Sequence, residues 1–293
     1  MLRELAVRTI KPLLSDMAWK RVRRIDPTTA RRDAEIAARA ARRDAEIAAR
    51  AARRAAAAKK AKLASQAAAP PSLSTLAAKY GTDKWGGPHM HQYTPHYQHH
   101  LGHLRNERFT LLEIGIGGYK QDKAGGASLR MWKEFFPRAQ IVGLDIEDKS
   151  FVNEDRIRAY QGSQTDARIL KEIIDDADNL QVIIDDGSHR SEHTLQTFAI
   201  LFPQLPDGGH YIIEDTQTSY WSRWGGTADP TATYTTMGFT KTLIDGLNYE
   251  EVTDPGYQAT YNELKIVGVH AYHNMVFIDK GTNADGRWNT NRG

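Results

Sequence analysis

From about residue 72 onward, short apolar runs alternate with amphipathic stretches. The runs "FTLLEIG", "AQIVGLDI", "RIRAY", "LQVIIDD" and "GHYIIED" read as strands, and most of them are apolar on successive rather than alternate positions. That is the mark of a strand covered on both faces. Between them "ASLRMWKEFF", "DARILKEIIDDA" and "HTLQTFAILF" carry helical spacing. The β-α-β-α rhythm predicts an α/β fold: a Rossmann-like, doubly wound, mostly parallel sheet. "ELKIVGVHAYH" and "MVFIDKG", separated by a short gap, predict a C-terminal antiparallel hairpin added to that sheet. Open sheets of this kind bind ligands at the carboxyl ends of their strands.

Before residue 70 the pattern changes. Residues 31–41, "RRDAEIAARAA", recur unchanged at 42–52, and a degraded third copy follows. Strong helix formers and the i,i+4 pairs Glu35–Arg39 and Glu46–Arg50 predict a helix. Its period of 11 suits a straight or slightly right-handed rod. "AAAPPSLS" at 67–74 reads as a linker, so residues 1–70 form a basic helical arm and 71–293 a separate domain.

Charge sharpens the division. Residues 1–70 hold 18 Lys and Arg against 7 Asp and Glu, a balance of +11, and the remainder is −8. The arm is either a solvated helix or a basic contact for an anionic surface, with Leu2, Leu5, Ile10, Leu13, Leu14, Met17 and Trp19 as an apolar start. No aromatic residues interleave with its later arginines, which disfavours nucleic acid as a partner. The chain has no cysteine, excluding disulfides, thiolate metal sites and cysteine nucleophiles. No run is apolar enough to span a membrane, and the N-terminus lacks the uninterrupted core of a signal peptide. Cytoplasmic location is expected, and self-association stays open.

The first strand ends in Glu113-Ile114-Gly115-Ile116-Gly117-Gly118-Tyr119. A dinucleotide fingerprint needs a third glycine where Lys120 stands. Glu113 would repel a pyrophosphate but suits an amino-acid ammonium group, and Asp145, ending the second strand, suits two ribose hydroxyls. Together they point to S-adenosylmethionine. Ser128 opens the next helix either as its N-cap or as a cofactor contact.

Two later strands end in acid pairs, Asp185-Asp186 and Glu214-Asp215, and His189 follows the first pair. Carboxylates gathered this way call for a cation, and oxygen ligands without thiolates suit Mg²⁺ or Mn²⁺. Such an ion orients neighbouring hydroxyls and acidifies one of them, while His189 takes the proton. Tyr80, Tyr93 and Tyr97 either cover the ligand or pack the sheet edge. Tyr220, Trp221 and Trp224 sit in a polar loop suited to a sugar ring, and His99, His100 and His103 read as a solvated helix face.

The ordered motifs "KYGTDK", "HQYTPHY", "LLEIGIGGY", "GGASLRMW", "VGLDI", "DDGSH", "IEDTQTSYW", "DGLN" and "VFIDKG" span about residues 73–280. This set resembles the metal-dependent sugar O-methyltransferases that tailor macrolides such as mycinamicin and tylosin, and their relatives acting on mycobacterial polysaccharides. The resemblance implies a class I S-adenosylmethionine fold. It implies that Glu113, Gly115, Gly117, Tyr119, Asp145, Ser163, Gln164 and Asp186 serve the cofactor, with Ser128 beside them. It further implies that Asp186, Glu214 and Asp215 hold Mg²⁺, that His189 is the general base, and that the acceptor is a glycoside or polysaccharide. The basic arm has no counterpart in the pattern. Two other readings stand beside it: a methyltransferase for phenols or catechols, and an inactive interaction protein working through the arm.

Overall fold

The computed structural model describes residues 27–67, 70–88, 90–121 and 123–287. Internal contacts divide the chain into two units, Met1–Pro70 and Pro71–Gly293. In the first, helix α1 (Pro27–Ala67) runs for 41 residues, through both copies of the repeat. Its described side chains, which lie between Ala38 and Lys60, are all exposed. The apolar start read between Leu2 and Trp19 lies outside the described residues. Among the described residues no helix is long and apolar enough to cross a membrane.

The second unit begins sooner than the linker string suggests. Ser72 accepts a hydrogen bond from the Thr75 amide at 3.1 Å and so caps α2 (Leu73–Tyr80). After it come α3 (Thr94–Leu101), β1 (Thr110–Ile114), α4 (Ala127–Phe135), β2 (Gln140–Asp145) and β3 (Ile157–Gln161). Next are α5 (Ala167–Asp176), β4 (Leu180–Asp185), α6 (Ser191–Leu201), β5 (His210–Glu214), α7 (Thr236–Gly246), α8 (Tyr261–Lys265), β6 (Ile266–Tyr272) and β7 (Met275–Lys280). The sheet order is β3-β2-β1-β4-β5-β7-β6. β1 to β5 are parallel, β7 is antiparallel to β5, and β6 is the edge strand beyond it.

Alternation along the strands sorts their side chains into two cores. Leu111, Ile141, Val182, Ile212 and Phe277 pack with Leu76, Tyr97 and Trp132 on one face. Leu112, Val142, Ile183, Tyr211 and Ile278 pack with Leu170, Phe198 and Leu243 on the other. Helices therefore cover both faces, as the apolar runs required. Register then sets the site. Ile114 lies opposite Leu144 on one side and Asp185 on the other, and Asp185 lies opposite Ile213. Four strands thus end nearly level, around the switch point where the order reverses between β1 and β4.

Candidate active site

The turn leaving β1 passes hard against the end of β4. The Gly115 amide donates to Leu144 at 2.8 Å, and the Asp186 amide donates to Ile114 at 2.9 Å. Gly115 has φ +90°, and a Cβ there would stand 2.1 Å from the Asp186 carbonyl oxygen. Gly115→Ala combines left-handed strain with a backbone clash and should cost about 3 kcal/mol or more. A thermal melt alongside a titration with S-adenosylhomocysteine checks this, and an unchanged melt would show that the two turns move apart freely.

Asp145 holds the same turn from β2. One carboxylate oxygen accepts from the Ile116 amide and the other from the Glu147 amide, both at 2.9 Å. Lys149 was not singled out from the sequence, yet it is buried with its ammonium on the carbonyls of Tyr119 at 2.6 Å and Ala124 at 3.0 Å. A glycine-rich loop with few side chains of its own is fixed by these outside partners.

Over the level strand ends opens a cavity of about 690 Å³. Gly115, Gly117, Tyr119, Ser128, Asp145, Ser163, Gln164, Asp186, His189 and Asp215 all line it. Ser128 is not the helix cap; Gly126 takes that place. Gln164 is almost fully engaged: its amide donates to Asp185 and Thr197, and its oxygen accepts from the Ser188 amide at 2.7 Å. Asp185 turns away from the cavity, and burial pushes its carboxyl up to about 6.

Glu113 and Glu214 do not line the cavity; they stand behind Lys84, which does. The Lys84 ammonium sits 2.6 Å from Asp186, 2.7 Å from Glu214 and 3.6 Å from Glu113. Glu214 gives its other oxygen to the Tyr97 hydroxyl at 2.5 Å. The Trp132 indole donates to Glu113 Oε2 at 3.2 Å, while the buried Oε1 has no hydrogen bond and faces Lys84 at 3.6 Å. Burial pushes the Glu113 carboxyl up to about 7 against the pull of Lys84. Burial and the neighbouring Asp186 hold Glu214 well above the ordinary glutamate range. Lys84 is held well above its usual range, because the surrounding carboxylates outweigh its own burial.

Asp215 accepts from the Tyr93 hydroxyl at 2.8 Å and lies 3.4 Å from His91. Burial raises its pKa, but His189, Tyr93 and His91 outweigh that and leave it below the usual aspartate value. The His189 Nε2 is 3.6 Å from an Asp215 oxygen, and its Nδ1 is buried without a partner. Asp186, His189 and Asp215 each offer a ligand atom, all within 4.8 Å of one another. Both His189 and Asp215 have left-handed backbones, φ +54° and +55°. Such conformations gather where the surroundings dictate a side chain's aim.

No protein-family model matches the chain. Residues of the chain are 47% identical, over 229 positions, to the mycinamicin VI 2''-O-methyltransferase of Micromonospora griseorubida, covering 78% of this chain and 57% of that protein. The demethylmacrocin O-methyltransferase of Streptomyces fradiae is 46% identical over 226 positions, covering 76% and 57%. The crystal structure of the MycE methyltransferase of the mycinamycin pathway, in complex with Mg and S-adenosylhomocysteine, superposes with TM-score 0.72 at 47% identity. That match covers 76% of this chain and 57% of that one. The chain belongs to the macrolide deoxysugar O-methyltransferase family. It spans just over half the length of the family members it matches.

Within this family pattern, Lys84 closes "KYGTDK", so the motif carried a signal although the residue's task was not read from it. Tyr93 and Tyr97 pack in the core, the second of the two roles weighed for them, with their hydroxyls on Asp215 and Glu214 and neither lining the cavity. Tyr80 instead bonds Glu134, at 2.5 Å. Tyr220 and Trp221 are exposed, and the Trp224 ring lies 6.0 Å from that of His189. His99 and His103 are exposed as expected, but His100 is half-buried against Phe277.

Proposed function

We propose that the chain transfers a methyl group from S-adenosylmethionine to a sugar hydroxyl of a glycoside, with Mg²⁺ bound at the cavity. The convergence of Asp186, His189 and Asp215 on one cavity wall carries this reading. The donor set fits a hard cation: half-buried carboxylates with an ammonium already drawn among them, and a Glu113 oxygen behind that has no hydrogen bond and faces that ammonium at 3.6 Å. Asp186 and Asp215 would hold the ion, and Glu214 would join them where Lys84 now bridges it to Asp186. When bound, Mg²⁺ supplies Lewis acidity, lowering the pKa of a hydroxyl beside it.

The other steps belong to the chain's own groups. The glycine turn and Asp145 bound the cofactor cavity at β1 and β2, and Ser163 and Gln164 close its β3 side. His189 Nε2 takes the acceptor's proton; it stands too far from Asp215 for a hydrogen bond, so it is open to the substrate. Asp215 then stabilises the imidazolium charge. The acceptor oxygen attacks the methyl carbon as the carbon–sulfur bond breaks, leaving S-adenosylhomocysteine.

Asp186→Ala should abolish activity and its Mg²⁺ dependence, measured as S-adenosylhomocysteine release with deoxysugar glycosides. Full activity of the unaltered protein in EDTA would defeat the metal assignment. Turnover with catechols but not glycosides would defeat the sugar assignment.

A further inference from the structure

Around Asp279 on β7 the fold gathers imidazoles from three other elements. Asp279 Oδ1 lies 2.7 Å from His210 Nδ1 on β5, and its Oδ2 lies 2.9 Å from His270 Nε2 on β6. His100 comes in from α3, its ring 4.6 Å from that of His270 and stacked 4.2 Å from Phe277. His100, His270 and Asp279 each present a ligand atom, all within 4.8 Å of one another. The sequence reading set the His99, His100 and His103 group aside as solvated. Only when β6 and β7 bring His270 and Asp279 to His100 does a ligand set exist.

We propose that His100, His270 and Asp279 form a second metal site, for a late first-row divalent ion such as Zn²⁺, tying α3 to the edge strand of the sheet. Two imidazoles and one carboxylate are the donor type that Zn²⁺ takes, with a fourth position left to solvent. Ideal Zn²⁺ geometry sets ligand atoms about 3.4 Å apart. The His270–Asp279 pair stands 2.9 Å apart, and a His100 ligand atom lies within 4.8 Å of both, with His100 Nε2 paired to the Tyr272 hydroxyl at 2.8 Å.

Three further observations support a site over an ordinary ion pair. Gly268 leaves room beside the ligand atoms: a Cβ there would stand 3.1 Å from Asp279 Oδ2 and 3.2 Å from His270 Nε2. His210 is 9% exposed and bonds the carboxylate oxygen opposite His270, as an outer-shell partner does. The ion-pair partners of Asp279 among the described residues are the two histidines, with neither lysine nor arginine.

The test uses the full chain without an affinity tag, stripped with EDTA, then equilibrated with Zn²⁺ in excess Mg²⁺ and assayed for bound zinc. One Zn²⁺ per chain is expected, retained in Asp186→Ala and lost in His270→Ala. His270 is exposed enough for its removal to leave the fold intact. His210→Ala should weaken binding by about 10- to 100-fold. Co²⁺ in place of Zn²⁺ should give visible absorption that His270→Ala abolishes. No zinc bound by the unaltered chain, zinc retained by His270→Ala, or zinc lost in Asp186→Ala would each overturn the proposal.

Discussion

Replacing Lys84 with methionine should destabilise the second unit by about 3–5 kcal/mol at neutral pH, the usual cost of removing one member of a buried ionic network. Methionine keeps the length of the stem and removes only the ammonium. Asp186, Glu214 and Glu113 would then face one another in a buried space with no positive charge among them. The sign with pH follows from the shifts. Burial already raises Asp186 and Glu214 above their ordinary values, and without Lys84 they rise further. Carboxyls with raised folded pKa values lose stability as pH rises from the unfolded values through the folded ones. The deficit should therefore be small near pH 4 and grow towards pH 8. Urea unfolding of both proteins at several pH values measures it. A deficit independent of pH would mean that Lys84 acts by packing its stem and not by its charge.

His189→Ala should lower turnover by about 10²- to 10⁴-fold, the usual contribution of a positioned general base, and leave S-adenosylhomocysteine affinity unchanged. The backbone complicates the choice, because φ is +54° and alanine takes that conformation poorly. His189→Asn is the companion, since asparagine tolerates the left-handed region but cannot take up a proton. Equal losses in both variants assign the effect to proton transfer. Near-normal turnover in His189→Asn would remove the imidazole from the base role.

Much of this architecture was legible in the sequence because buried parallel strands write themselves as apolar runs. β1, β2, β4 and β5 were read that way, and the acids at their ends marked the face where they converge. The second half of the site was not legible in the same way. Lys84 lies in a segment without period, and only the folded chain shows that it reaches carboxylates on β1, β5 and the β4 turn. Glu113 and Glu214 share the strand-end pattern with Asp145 and Asp186, yet strand alternation turns Glu113 towards Trp132, and Tyr97 draws Glu214 inward. A sequence shows that an acid ends a strand, not which partner claims its oxygens. His100 on α3 escaped the reading for a related reason, since its partners lie on β6 and β7, far along the chain.

The lysine cage also ties the beginning of the domain to its later part. The Lys84–Glu214 contact joins positions 130 residues apart, and Tyr97–Glu214 joins positions 117 apart. On the ribosome, α2 and α3 emerge well before the strand that neutralises them. At ordinary elongation rates that wait lasts on the order of ten seconds. Glu113 and Asp186 are made earlier and can reach Lys84, but until β5 arrives Tyr93 and Tyr97 lack the acids that accept from their hydroxyls. The first segment of the second unit therefore completes its buried contacts only once β5 is made, and contacts of such long sequence separation are expected to slow assembly of the strand-end face.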